Sequence, residues 1–533
     1  MSIKKDLNKF NPRKEQEKAL EYIKKVCKDK PDNKFFLLNM PVGVGKSHLA
    51  VMISDYFVTK LQPGKKVDII TAGKILQNQY ADTYEYIKSL KGKENYNCSQ
   101  YDCSCASGKE FNKLNKTKCE FCPYDEARTG YISGEVNLTN FHLYLINAIY
   151  SGMTADRIEE SKLLIVDEAH EFDDVMSDFV SVKITETVIK RFNFVTEKEI
   201  IKTLKKVYDI ESYVEFLVYF KSELLDLMVH IDNELRATKP DIKTIQLLGE
   251  IAQLATKIDT FLTEYKEDPD NWIMESIYNE KTKTSDISME PIWAYKYLQK
   301  YVWSKYDMVV LMSGTILDKQ LFSEINGIDP DKSVYYSISS PFALENRRIF
   351  YMPLGKMSYT QKEETFKNYI PYINKILKKY SNVKGIIHTN SFELSKWIES
   401  NIKQSRLLFH ESSNKEDILK MHFANKEPSV IVSPSVSTGV SFDHEHSRFQ
   451  IIAKVPYPSL GSKKNNMRKK MKPEWYSWKT VAGLIQTYGR SIRSVTDYAD
   501  TIIIDGSFSD VMMYSSHYFP KWFQDSIQTV KVS

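Results

Sequence analysis

The sequence predicts an α/β protein of two parallel-sheet domains, the first interrupted by two insertions. Three observations predict it. Short apolar runs of the buried parallel-strand kind recur in both halves of the chain, helical patterns separate them, and two stretches between residues 89 and 284 break the alternation. At 533 residues the chain is longer than one core normally organises, so two large domains with insertions are expected.

The first set of runs covers residues 35–38, 67–71, 163–166 and 308–312, each bounded by polar turns. The second set covers 385–388, 429–432, 449–453 and 501–504. Between them, from about residue 171 to 284, Gly249 is the only glycine in the interval from Met153 to Ser313. Leu217, Phe220, Leu224, Leu227 and Ile231 recur at helical steps, as do Leu247, Ile251, Leu254, Ile258 and Phe261. This stretch reads as a helical insertion whose apolar stripes are core. The other insertion carries five of the six cysteines, Cys98, Cys103, Cys105, Cys119 and Cys122.

No window reaches 18 uninterrupted apolar residues, which argues against a membrane span. The opening MSIKKDLNKF lacks the apolar stretch of a secretory signal, so an intracellular protein is expected. In that compartment a dense cysteine group reads as metal ligation rather than disulfides. The net charge of +5 points only weakly to a polyanion. Lys463, Lys464, Arg468, Lys469, Lys470 and Lys472 cluster, followed by Trp475, Tyr476 and Trp478. Such a group can neutralise phosphates and stack on bases, and it equally suits a solvated loop beside a core helix.

FFLLNMPVGVGKSHLA reads as strand, turn and helix start. Gly43 and Gly45 let the backbone curl its N–H groups toward phosphate oxygens. Lys46 can reach the β- and γ-phosphates, and Ser47 can bind Mg²⁺. The full phosphate-loop pattern asks for glycine at position 40, where this chain has Met40. LLIVDEAHEF reads as a buried strand ending in Asp167, Glu168, Ala169 and His170. Asp167 is assigned to the metal, Glu168 to the attacking water and His170 to coupling the site to motion. In QTYGRSIRS, Gln486, Arg490 and Arg493 have helical spacing, and Arg490 and Arg493 share a face. Arginines offered from a second domain can stabilise the γ-phosphate in the transition state, which makes hydrolysis depend on cleft closure.

In this order the motifs resemble the XPD/DinG branch of superfamily 2 helicases, over nearly the whole chain. NPRKEQ, with Arg13 and Gln16, resembles the adenine-proximal motif. TAGKILQNQY, with Thr71 and Gln79, resembles motif Ia, which contacts strand backbone. MPVGVGKS and DEAH resemble motifs I and II. LMSGTI, with Ser313 and Thr315, resembles motif III, and GIIHTNSFE motif IV. VSTGVSFD, with Gly439, resembles motif V, and QTYGRSIR motif VI.

The resemblance implies two RecA-like motor domains with parallel sheets: a discontinuous first domain at 1–88, 140–172 and 285–316, and a second at 317–533. It implies a small iron–sulfur domain at 89–139 and an all-helical arch at 173–284, together enclosing a hole for one strand. The family's 4Fe–4S cluster would be held by Cys98, Cys119 and Cys122 with Cys105, or Cys103 in its place. The cysteines are packed more tightly along this chain than is usual in the family, so a structural Zn²⁺ site is the alternative. Ser441 stands where the family often has aspartate, with Asp443 nearby. No exonuclease-like extension precedes the motor motifs, so no nuclease activity is expected. The implied activity is ATP-driven, Mg²⁺-dependent 5′→3′ movement on single-stranded DNA, unwinding forked or 5′-tailed duplexes, by an intracellular monomer in the cytoplasm or nucleoid. A non-unwinding ATPase that remodels protein–DNA complexes and an RNA helicase are the competing readings.

Overall fold

A computed structural model of the chain describes residues 3–150, 160–237, 241–279, 284–435, 442, 444–492 and 496–530. In chain order the first strands are β1 (Phe35–Asn39), β2 (Lys66–Thr71), β3 (Lys88–Ser89), β4 (Val136–Asn140) and β5 (Ser161–Asp167). Three strands follow that pair only with one another: β6 (Val182–Thr185), β7 (Trp272–Asn279) and β8 (Thr284–Pro291). Next, β9 (Met308–Ser313) and β10 (Ser333–Ser337) rejoin the first sheet. Its order is β10-β1-β9-β5-β2-β4-β3, with every pairing parallel. The central strands β1 and β9 are buried along their whole length, which is why they read as unbroken apolar runs.

The second sheet contains β11 (Ile349–Tyr351), β12 (Gly385–His388), β13 (Leu407–Phe409), β14 (Val430–Ser433), β15 (Phe449–Ile452), β16 (Asp500–Ile503) and β17 (Ile527–Thr529). Its order is β13-β14-β12-β15-β16-β11-β17, again all parallel. Every apolar run read as a buried strand is a strand here, and the two sheets are those expected of two RecA-like domains. Among the described residues, no helix is long and apolar enough to cross a membrane.

The insertion after β5 has the expected helical centre. Ile210–Ala237 and Ile242–Glu267 pack on each other, burying Leu217, Phe220, Leu224, Ile251, Ile258 and Phe261. It is not all-helical, however. β6, β8 and β7 form an antiparallel sheet at its base. In β8, Ile287 and Met289 are buried on one face, the period-2 pattern of a half-buried strand. Scarcity of glycine spoke against β structure here, yet aromatic and β-branched residues at 272–278 were the stronger signal.

The expected domain limits shift accordingly. β10 lies beyond 316 yet pairs with β1, because an edge strand is assigned by its neighbour, which no local pattern reveals. All of β8 after Thr284 lies within 285–316 yet belongs to the insertion's sheet. The cysteine-rich segment contributes the helices Cys105–Asn115 and Pro123–Ser133, around a small core of Leu90, Cys105, Tyr124 and Tyr131.

Two buried histidines make the second domain sensitive to acid. His388 Nε2 lies 3.1 Å from Gln450 Oε1, and His422 sits between the Ser429 hydroxyl at 2.9 Å and the His446 carbonyl at 2.8 Å. Burial pushes both rings down to about 4 from the usual 6.5. The folded value is depressed, so the unfolded chain takes up protons first as pH falls. The stability contributed by the neutral rings is whole above about 6.5 and drains away toward 4. Urea titrations near pH 7 and near pH 5 are expected to show a lower midpoint in acid, with a smaller drop in His422→Gln.

Candidate functional site

The turn after β1 takes the shape its glycines allow. Gly43 and Gly45 adopt φ of 82° and 85°, and the helix Lys46–Tyr56 starts from there. A Cβ on Gly45 would stand 2.4 Å from Gln16 Nε2. That amide donates to the carbonyls of Val44 at 3.0 Å and Gly45 at 2.9 Å, and the Arg13 guanidinium donates to the carbonyl of Gly43. Arg13 and Gln16 therefore clamp the loop by its carbonyls, leaving its N–H groups for an anion. Met40, where the full pattern asks for glycine, has no left-handed backbone. Its N–H instead donates to the Ser313 carbonyl at 2.7 Å, tying the loop to β9.

The expected acidic pair stands at the end of β5. Asp167 is buried, and its carboxylate accepts from the Tyr80 hydroxyl and from the Glu168 N–H, each at 2.9 Å. Burial pushes its carboxyl up to about 6 against the pull of Lys46. Glu168 adopts φ 57°, a left-handed conformation disfavoured for a side chain with a Cβ. Its Oε1 lies 2.9 Å from Lys46 Nζ. The Ser47 side chain lies near the Tyr80 hydroxyl and favours its ionised form against burial and Asp167. Lys46, Ser47, Asp167 and Glu168 thus converge on one spot, with an oxygen set that suits Mg²⁺.

From that spot a path of polar contacts crosses to the second domain. His170 Nδ1 lies 3.5 Å from Glu168 Oε2 and 2.9 Å from the Ser313 hydroxyl. Ser313 and Thr315 hydroxyls are 3.2 Å apart, and Thr315 accepts from Gln486 Nε2 at 3.1 Å. Gln486 Oε1 in turn accepts from Arg490 at 3.3 Å. Burial pushes the His170 ring down to about 4, so it is neutral, with the one Nδ1 facing both the Ser313 hydroxyl and the Glu168 carboxylate. The two lobes touch at the loop itself, where a Cβ on Gly489 would come within 2.9 Å of Val42 Cγ2. Beside the path lies a cavity of about 450 Å³ lined by His170, Glu171, Trp475, Lys479 and Gln486. Burial, reinforced by Glu168, pushes Glu171 up to about 7. Arg493, Gly439, Ser441 and Asp443 lie outside the described residues.

The basic run is divided: Lys464 and Arg468 are buried, whereas Lys463 and Lys470 are exposed. Its helix, Lys463–Met471, docks on the first domain and its insertion. Arg468 is 1% exposed, with its guanidinium 4.9 Å from the Trp293 ring and 5.4 Å from the Trp475 ring. It bonds to the Ile292 carbonyl at 2.5 Å and lies 3.1 Å from Asp173 and 3.5 Å from Asp174. Lys479 reaches Asp174 at 2.8 Å and Lys464 reaches Ser177 at 2.5 Å, while Lys472 pairs with Glu324. Trp475 and Trp478 are buried, and the Trp478 indole donates to the Ile316 carbonyl at 2.9 Å. Arg468, Lys464, Trp475 and Trp478 are thus taken up by contacts within the chain, which corrects the phosphate-binding and base-stacking reading for these four residues. Nothing in the sequence pairs position 468 with 173; only the fold does.

The five clustered cysteines meet in one lobe. Cys98 Sγ is 3.9 Å from Cys119 Sγ, and all five thiols are free. Asn112 donates to Cys119 Sγ at 3.0 Å. A Cβ on Gly108 would stand 2.5 Å from Cys98 Sγ, so only glycine leaves these sulfurs their space. Among the described residues, no group of three or more His, Cys, Asp or Glu side chains is arranged to hold a metal ion. Thr71 is buried, whereas Gln79 is exposed on the helix Lys74–Thr83. Sequence reading missed Tyr80 on that helix, because an apolar-facing aromatic gives no hint of where its hydroxyl ends.

Comparison with known proteins agrees with this architecture. The family described as Helicase C-terminal domain matches residues 375–526, and Type III restriction enzyme, res subunit, matches residues 9–210. The protein named ATP-dependent DNA helicase CHL1 from Vanderwaltozyma polyspora is 20% identical over 488 residues, covering 76% of this chain and 58% of that protein. The protein of the same name from Meyerozyma guilliermondii is 22% identical over 531 residues, covering 81% and 62%. The chain thus spans about three fifths of the length of the curated relatives it matches. Among solved structures, XPD_Helicase is similar with a TM-score of 0.67 at 14% identity, over 98% of this chain and 100% of that one. The structure of S. tokodaii Xpd4 gives 0.61 at 14% identity, over 97% and 100%. Two parallel-sheet lobes meeting at a phosphate loop, a helicase C-terminal match to residues 375–526 and this fold-level likeness agree: the chain is similar to the XPD-like helicases of superfamily 2.

Proposed function

We propose that this protein is an ATP-dependent DNA helicase that binds ATP between its two motor domains, moves 5′→3′ on single-stranded DNA and opens forked or 5′-tailed duplexes. The observation that carries the reading is the path of polar contacts from Glu168 through His170, Ser313, Thr315 and Gln486 to Arg490, hydrogen-bonded from His170 onward. It joins the hydrolytic carboxylate to the opposite lobe, so a change at the γ-phosphate is felt as a change in the cleft. The names of the relatives support DNA as the strand, and the polarity follows the family resemblance.

In this mechanism Lys46 leaves Glu168 for the β- and γ-phosphates, and the freed Glu168 orients the attacking water. Arg490, with Arg493 as its expected companion, meets the γ-phosphate from the second domain. Ser47 and Asp167 would hold Mg²⁺, which would supply positive charge against the charge developing on the phosphates. Arg13 and Gln16 keep the loop in shape, and Gln486 senses whether the cleft is shut.

The thiol set fits a 4Fe–4S cluster in kind, with Cys98, Cys119 and Cys122 joined by Cys105 or Cys103. Such a cluster would pin the lobe that flanks β3 and β4. Anaerobically purified protein is expected to carry about four irons per chain with broad visible absorbance. Zinc in place of iron would reassign the site to a structural Zn²⁺.

Hydrolysis of ATP is expected to rise with single-stranded DNA, and strand separation to require a 5′ tail. Separation that requires a 3′ tail would reverse the polarity. Hydrolysis without separation on any tailed duplex would favour the remodelling reading, and equal stimulation by RNA would favour an RNA helicase.

A further inference from the structure

Tyr80 sits between the two residues assigned to the cation. Its hydroxyl donates to Asp167 Oδ2 at 2.9 Å with Ser47 close by, and the side chain is wholly buried. It belongs to the helix Lys74–Thr83, which follows directly on β2. That helix has two distinct faces. Inward, Gln77 donates to the Leu90 carbonyl at 2.8 Å and accepts from Asn140 at 3.1 Å, so the buried side is fixed to the sheet. Outward, Ile75 is 65% exposed and Gln79 is also exposed. A helix is rigid over this length, so a force on the outer face reaches the inner one.

Resting on the proposed function, we propose that Tyr80 is a positioning residue that couples strand binding to the cation site. Through its hydroxyl the helix holds Asp167 and Ser47 in the arrangement that takes Mg²⁺ with the nucleotide. A strand lying across Ile75 and Gln79 thereby strengthens binding of the Mg²⁺–nucleotide, and by reciprocity the bound Mg²⁺–nucleotide strengthens the hold on the strand. Residues that orient metal ligands without touching the metal commonly change affinity by about 10–100-fold.

The test is a Mg²⁺ titration of fluorescent ATP-analogue binding, with and without single-stranded DNA, on the full chain. In the wild type, DNA is expected to lower the Mg²⁺ midpoint. In Tyr80→Phe, which keeps the packed ring and loses only the hydroxyl, the midpoint is expected to rise about tenfold and the DNA effect to vanish. Tyr306→Phe is the control, because Tyr306 also bonds a buried carboxylate, Asp68 at 3.0 Å, outside the nucleotide loop. It loses comparable stability but keeps the wild-type midpoint. A Tyr80→Phe variant with wild-type midpoint and DNA response, or a Tyr306→Phe variant that mimics Tyr80→Phe, overturns the inference. Should Tyr80→Phe not fold, 3-fluorotyrosine placed at 80 keeps the shape and makes the hydroxyl more acidic, and an unmoved midpoint there overturns it equally. No Mg²⁺-dependent nucleotide binding in the wild type removes the proposed function and this inference together. Normal wild-type behaviour with an unshifted Tyr80→Phe removes this inference alone.

Discussion

Lys46→Ala is expected to lower ATP hydrolysis at least about a hundredfold, as removal of one preorganised electrostatic partner in an enclosed site does. The Lys46 ammonium is 2.9 Å from Glu168 Oε1 and largely buried. Phosphate must therefore replace a carboxylate partner rather than water, and this exchange releases Glu168 for the attacking water. Glu168→Gln separates the two roles. The amide cannot hold Lys46 as an ion pair, so nucleotide binding is expected to be kept or tightened while hydrolysis is lost. Equilibrium nucleotide binding and phosphate release on both variants check the pair. Hydrolysis by Lys46→Ala within a few-fold of wild type would end the motor reading.

Arg468→Ala is expected to destabilise the protein by about 3–5 kcal/mol, the usual result of removing one member of a buried ion pair. The charge is 1% exposed, faces two indole rings and holds Asp173 and Asp174. Burial alone would raise the Asp174 carboxyl, but Lys479 and Arg468 together hold it well below the usual carboxylate range, so it is ionised and needs its partners. Arg468→Lys should recover only part of the loss, because an ammonium lacks the planar fork and the stacking face. Pairing Arg468→Met with Asp173→Asn removes both charges and should restore much of the stability. Urea unfolding of the four proteins measures the differences, and a neutral Arg468→Ala would show the contact to be dispensable.

Much of the core was legible because buried parallel strands leave continuous apolar runs, and the phosphate loop and DEAH segment carry their chemistry in adjacent residues. Lys46, Asp167 and Glu168 met as expected for that reason. What stayed hidden depends on distance along the chain. Arg468 and Asp173 are far apart in sequence, and a run of cations reads the same whether water, phosphate or carboxylate faces it. The edge strand β10 was unreadable because only its pairing with β1 defines its domain. The sheet β6-β8-β7 was obscured by weighing absent glycines above the aromatic and β-branched residues that were present.

The helix Lys463–Met471 belongs to the second domain but holds more than the first. Lys463 donates to the Met274 carbonyl on β7 at 3.1 Å, and Lys464 lies 3.6 Å from Glu290 on β8. The insertion is thus tethered to both lobes, like a strut fixed at each end. Any rotation that parts the lobes must either undo these two grips or swing the strut, and the aperture beside it would change with every cycle of the cleft.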